Sequence, residues 1–266
     1  ARLVLDAVLE AATRTLDIDL TLREPQGGLT ARLADLPGLP AVSLSLKGRG
    51  PADTWRGRLA VEAQDLATLD ADTAISLGDR PTLALAGGAD IGRLLDADLL
   101  ALAGPVPQFD LLLALEPRGG VAIERALLSG TAVEVSVHGS LDPATLAADL
   151  TAAAELTDPA VVGRLAAGIA LRSAAATVKL RGPLARMTVA ATAEIGGFSG
   201  DGVAVGRIAA NLDGVLASQR FDGRFDAGFA HIGGEKDGGE IDLTGTARLD
   251  LASGALGIAA TATAAR

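Results

Sequence analysis

The stretch LDIDLTLREPQGG, Leu16 to Gly28, decides how the chain is read. Side chains along an extended strand alternate between faces. Leu16, Ile18, Leu20 and Leu22 therefore fall on one side, and Asp17, Asp19, Thr21 and Arg23 on the other. One face is oily and the other is wet, and Pro25 and the Gly27-Gly28 pair end the run.

The same period of two recurs along the chain. It appears in VSLSLKG (42–48), RLAVEA (58–63), TLALAG (82–87), FDLLLALEP (109–117) and AVEVSVHG (132–139). It continues in ATVKLRG (176–182), MTVAATAEI (187–195), GRIAANLDG (206–214), FDGRFDAGF (221–229) and EIDLTGTARLDL (240–251). Gly, Pro or Asp closes nearly every run, and the short connections favour antiparallel hairpins over the long crossovers of parallel sheets. A looser unit, strand then Gly-Pro turn then strand, appears in SLSLKGRGPADTWRGRLAVEA and ATVKLRGPLARMTVAATAEI, with a weaker copy in VSVHGSLDPATLAADLTAAAEL. Its irregular spacing argues against a propeller.

Three segments break the rhythm with apolar residues three and four apart: residues 28–37, 89–103 and 158–171. Each predicts a short helix. In the second, Ile91, Leu94, Leu95, Leu99 and Leu102 form a stripe; in the third, Asp158 is placed to cap and Pro159 to take the first helical position. All three are expected to plug or cover a β edge or core.

The expected fold is therefore all-β, mainly antiparallel, with a few short helices, read as one continuous segment over residues 1–266. Roughly sixteen strands at about 4.8 Å each would make a sheet about 70–80 Å long. Such a sheet must curl, close into a barrel or pack as a sandwich to deal with its apolar face. Aromatics are only 2% of residues. The inward face is aliphatic, which suits a smooth surface for hydrocarbon chains rather than the aromatic filling common in compact cores.

Composition narrows the function. Acidic residues outnumber basic ones 33 to 23, for a net charge of −10. No Lys/Arg cluster stands out, so nucleic acid is excluded as a partner. Hydrophobic residues make up 49% and the mean hydropathy is +0.36, yet no apolar run approaches a bilayer span. There is no cysteine, which removes disulfides and thiolate metal sites. The opening ARLVLDAVLE and the closing GIAATATAAR both fall inside the pattern, so the chain reads as an internal piece of a longer protein whose membrane anchor lies elsewhere.

The polar residues carry no recognisable catalytic signature. His138 and His231 stand next to or two residues before a glycine in turn-like contexts, without ligand spacing, and read as exposed loop residues. The pairs Asp17/Asp19, Asp70/Asp72 and Asp96/Asp98 read as outward polar positions, not as calcium or glycosidase carboxylates. GGFSGDG (196–202) and GGEKDGGE (233–240) match no nucleotide, nucleophile or EF-hand pattern and read as hairpin tips. The reading is of a non-enzyme that needs no cofactor or metal.

The segment GGLTARLADLPGLPAVSLSLKGRGPADTWRGRLAVEA (27–63) resembles the repetitive middle portion of the TamB and AsmA-like family, the former being the inner-membrane component of the translocation and assembly module. VVGRLAAGIALRSAAATVKLRGPLARMTVAATAE (161–194) looks like a second unit of the kind. The resemblance implies an elongated, taco-like β-groove with a hydrophobic interior. It also implies residence in the periplasm of Gram-negative bacteria, as part of an inner-membrane-anchored protein that conducts phospholipid between the two membranes. Assistance to outer-membrane protein assembly, through an outer-membrane barrel partner bound by regions outside this chain, is implied as well.

On that reading the groove lining is Leu16, Ile18, Leu20, Leu22, Val42, Leu44, Leu46, Leu59, Val61, Leu83, Leu85, Leu111, Leu113, Leu115, Val133, Val135, Val137, Val178, Leu180, Val189, Phe221, Phe225 and Phe229, in contact with phospholipid acyl chains. Two alternatives remain. One is a scaffold with a closed, packed core that binds client strands at a sheet edge. The other, weaker, is a carbohydrate-active β-helix, which usually carries Asn ladders; here Asn211 stands alone.

Overall fold

Leu20 pairs with Leu46, and Leu46 with Leu59, so three separate alternating runs meet with their oily positions aligned. The computed structural model describes residues 1–117, 119–233, 238–250 and 254–265. The chain is mainly antiparallel β with three short helices, and it divides into two compact units, Ala1–Thr131 and Ala132–Arg266.

The first unit runs β1 (Arg2–Glu10), β2 (Thr15–Glu24), α1 (Leu29–Leu33), β3 (Val42–Pro51), β4 (Trp55–Ala63), β5 (Ala67–Ser76), β6 (Thr82–Asp90), α2 (Ala97–Ala103), β7 (Gln108–Leu115) and β8 (Val121–Ser129). Every strand pairs antiparallel with the next in sequence. The second unit repeats this meander with β9 (Val133–Asp142), β10 (Ala147–Leu156), α3 (Ala160–Leu165), β11 (Ser173–Pro183), β12 (Arg186–Gly200), β13 (Val203–Ala217), β14 (Arg220–Ile232), β15 (Gly239–Asp250) and β16 (Ala255–Ala265).

The helices are shorter than their sequence windows, because turns and strand pairing claim the ends. α1 stops at Leu33 as the chain turns through Asp35 and Leu39, at φ 48° and 47°. α2 begins only at Ala97, because β6 pairs through Asp90 with Thr68, and the Asp96 carboxylate accepts the Leu99 N–H at 2.8 Å. α3 follows Asp158, whose carboxylate accepts the Ala160 N–H at 3.0 Å, and Pro159 stands just before the helix instead of in its first position. Beyond α3, Ala170 exchanges backbone hydrogen bonds with Ser199, each 2.8 Å, which draws the chain out of helix and onto β12.

Two of the helices bury a residue. Ala31 of α1 packs with Val42, Ala63, Leu36, Leu39, Val61 and Leu66, closing one end of the apolar face. Glu24, buried on that face, offers its carboxylate to the Thr30 N–H of α1 at 2.8 Å. Val161 of α3 is likewise fully buried. The predicted stripe of α2 is not: no residue of that helix is buried, and Leu99 is half exposed.

At the opposite, hairpin end an aromatic ring replaces a helix. Gly48 and Gly57 face each other across β3 and β4, and the indole of Trp55 lies over both. A Cβ at Gly48 would stand 2.5 Å from Trp55 Cζ2. The second unit repeats the device: Gly214 faces Gly223, and a Cβ at Gly214 would stand 2.6 Å from Phe221 Cζ. The sequence pattern is aromatic-x-Gly-Arg-apolar, WRGRL and FDGRF. Only glycine leaves room for a ring lying flat on the backbone.

Gly57→Ala should therefore push the indole off the sheet, costing about 1–3 kcal/mol as overpacking does and shifting the emission of the single tryptophan to the red. At Gly50 a Cβ would meet nothing closer than 3.7 Å, so Gly50→Ala should stay within about 0.5 kcal/mol of the parent. Denaturant titration followed by fluorescence reads both.

Candidate functional site: the apolar sheet faces

The register sorts each strand's residues cleanly between the faces. In the first unit, one row crosses the sheet as Leu3, Leu22, Leu44, Val61, Leu69 and Ala89, and the next as Leu5, Leu20, Leu46, Leu59, Ala71 and Gly87. Leu83 and Leu85 lie opposite Leu113 and Leu111. In the second, a row runs Val137, Ala152, Val178, Ala191, Leu212 and Phe225, and its neighbour passes through Leu150, Leu180 and Val189. The lining residues named from sequence thus share one face within each unit.

How covered that face is decides what it can do. Of the named lining positions, Val42 under α1 (4% exposed) and Phe221 (8%) are buried, and Leu115 at the end of β7 is 50% exposed. The others are half-buried. Leu44, Ser45 and Leu46 alternate between oily and polar faces and yet fall in the same class. In a packed sandwich the apolar side would be buried and the polar side exposed. Each unit is instead a single β layer whose aliphatic face is for the most part neither fully buried nor fully exposed.

The polar face carries ion pairs in the same register. Asp19 takes Lys47 Nζ at 2.9 Å and Asp17 lies 3.8 Å from Arg49, each directly across from its partner. Arg58–Asp70, Arg125–Asp110, Arg181–Asp149 and Arg248–Asp222 follow between neighbouring strands. Arg80 bridges Glu116 and Glu124, and those carboxylates hold its guanidinium even more firmly protonated than usual. Thr145 Oγ1 and the Ala144 and Thr145 N–H groups donate to Asp142 in the β9–β10 turn and lower its carboxyl below the ordinary range. Exposed pairs of this kind add little stability, because water and salt screen them. Their position matters more, since they mark the face that meets water.

Several residues fall elsewhere than the sequence suggested. His138 lies within β9 and His231 within β14, both exposed, rather than in loops. Gly196–Gly200 belong to β12, and the hairpin tip is Asp201-Gly202, at φ 48° and 79°. Asp96 is a helix cap. The tip expected in GGEKDGGE centres on residues 234–237, outside the described residues. No helix among the described residues is long and apolar enough to cross a membrane.

The sequence reading missed part of the face. Leu3, Leu5 and Leu9 of β1, Leu69 and Ile75 of β5, Ile123 of β8, and Leu150 and Leu156 of β10 join it through the register. Their strands carry apolar residues on both sides or runs of alanine, which blur the period; pairing with a clear neighbour would have placed them. Trp55 and Thr73 were also overlooked as members of the face.

Comparisons of the chain with models of protein families, with curated proteins and with solved structures found no match. The geometry of the two faces carries the functional argument.

Access to the face is testable because the chain has no cysteine of its own. Leu46→Cys should react with a water-soluble maleimide within about tenfold of the rate of Ser45→Cys, while Val42→Cys beneath α1 should be slower than both by more than about tenfold. Protection of Leu46→Cys matching that of Val42→Cys would mean that the face is packed shut.

Proposed function

We propose that the apolar face of each unit is a stretch of groove that holds phospholipid acyl chains, and that the protein conducts lipid between membranes. The observation that carries this reading is the partial exposure of an aligned aliphatic face in a single β layer. An alkyl chain lying along Leu44, Leu46, Leu59 and Val61 gains about 0.8 kcal/mol for each methylene removed from water. It needs no directional contacts, so it can slide. Headgroups ride at the wet margin, and net movement follows the difference in lipid chemical potential without bond chemistry.

The resemblance to the TamB and AsmA-like family supports the same reading. It extends the proposal to a periplasmic setting, an anchor in the inner membrane, and an outer-membrane barrel partner engaged by other regions. A second reading, addition of a client strand, has one observation in its favour: the apolar side chains Leu3, Leu5 and Leu9 of β1 are exposed.

Photo-crosslinking in a Gram-negative host separates the two. A crosslinking amino acid at Leu44, Val137 or Leu180 should capture phospholipid, whereas one at Ser45, Ser136 or Lys179 should not. Capture of protein alone, at β1 and at none of the inward sites, would replace the conduit with the client-strand scaffold.

A further inference from the structure

The uncovered part of the apolar face in the first unit changes width from strand to strand. On β2 four successive positions of that face, Leu16, Ile18, Leu20 and Leu22, are partly exposed. On β3 and β4 two remain on each strand, Leu44 with Leu46 and Leu59 with Val61. They lie between two covers: Ala31 of α1 packs with Val42 and Ala63 at one end, and the Trp55 indole lies over Gly48 and Gly57 at the other. On β5 the opening narrows to Leu69, across from Val61. Ala67 packs against the α1 cluster on one side of it, and on the other Ala71 and Thr73 are only 3% and 4% exposed. Ile75 is partly exposed again, but those two buried positions separate it from Leu69. On β6 the face widens once more to Leu83, Leu85, Gly87 and Ala89.

Trp55 stands at the closed side of this narrowing. It is 0% exposed, with Ile75 directly across from it and Thr73 across from the glycine it covers. A ligand on the face meets this packed group as an obstacle and not as a surface to lie on. One position on a strand face takes up two residues of rise, about 7 Å. A straight polymethylene chain, whose carbons touch their neighbours at about 4 Å, fits within that width. A methyl branch adds the breadth of another carbon, and close-packed walls do not yield to it without strain.

We propose that Trp55 is a specificity-determining residue of the acyl-chain face: with α1 it forms a constriction, one chain wide at Leu69, that admits straight acyl chains and holds back methyl-branched ones. This rests on the lipid reading above. Both kinds of chain fit the broad part of the face at β2, and only the straight kind reaches Leu69.

The test places a photo-crosslinking amino acid at Leu20 or at Leu69 in the whole chain. Each protein is then offered vesicles of dimyristoyl phosphatidylcholine or of diphytanoyl phosphatidylcholine, which share a headgroup and differ in branching. With Trp55 in place, Leu20 should capture both lipids alike. Leu69 should capture the straight-chain lipid about fivefold more than the branched one, the ratio that about 1 kcal/mol of overpacking supplies. Trp55→Leu removes the ring and should bring the ratio at Leu69 close to one while leaving capture at Leu20 unchanged, which also reports that the variant is folded. Trp55→Phe, a smaller ring over the same glycines, should give an intermediate ratio and serves if Trp55→Leu does not fold. Equal capture of both lipids at Leu69 in the parent overturns the constriction and spares the lipid reading, as does capture of neither lipid there while Leu20 captures both. A ratio unchanged by either substitution overturns the role of Trp55. Capture of no lipid at either position overturns the constriction and the lipid reading together.

Discussion

Strand register is the constraint on which everything else in this chain depends. With a side-chain period of two, a slip of one residue between any two strands would exchange the faces beyond the slip. Leu46 would turn to the wet side, and Lys47 would enter the oil. Short antiparallel connections hold the register locally, since a hairpin fixes which residues pair. The ion pairs act on the same variable from the other face. Asp19–Lys47 and Asp17–Arg49 contribute little stability as exposed pairs. In a slipped register their charges would be desolvated on an aliphatic surface, which costs far more. Their value lies in what they forbid.

Once the register is set, the sheet has a second problem, an oily face with no second layer. The structure covers it only at particular places. α1 seats Ala31 on Val42 and Ala63, and aromatic rings lie over the paired glycines of β3–β4 and β13–β14. Most of the remaining apolar positions, Leu44 and Leu46 among them, stay partly exposed. An ordinary domain gains most of its stability by burying such a face, and this chain leaves much of that gain unmade. On the proposed reading, lipid acyl chains supply the missing layer.

The fold class was legible because alternation is a local signal. LDIDLTLRE, VSLSLKG and AVEVSVHG each declare a strand and its oily side without reference to any partner. The membership of Leu69, Ile123 and Leu150 was not legible, since their strands read ambiguously alone and acquire a face only by pairing. Helix lengths failed for a related reason. The windows at 89–103 and 158–171 contain helical spacing, but the pairing of Asp90 and the bridge at Ala170 are long-range and outcompete it. His138 looked like a turn residue because Gly139 follows it, whereas Gly139 pairs with Leu150 inside the β9–β10 hairpin.

An aliphatic surface has a limit that bears on mechanism. Burial of Leu, Val and Ala is rewarded in proportion to area and has no direction, so such a face holds an alkyl chain equally well at many offsets. That indifference is what permits sliding. It also means that position along the face cannot be encoded by the leucines themselves. On the proposed lipid reading, any place where an acyl chain pauses would have to be marked by polar atoms, and few stand on the apolar side. Glu24 is already committed to the α1 backbone. Trp55 and Thr73 are not committed to any protein group. Thr73 lies across from Gly57, whose missing side chain makes room for the Trp55 ring, so both stand where the face is covered rather than where it is open.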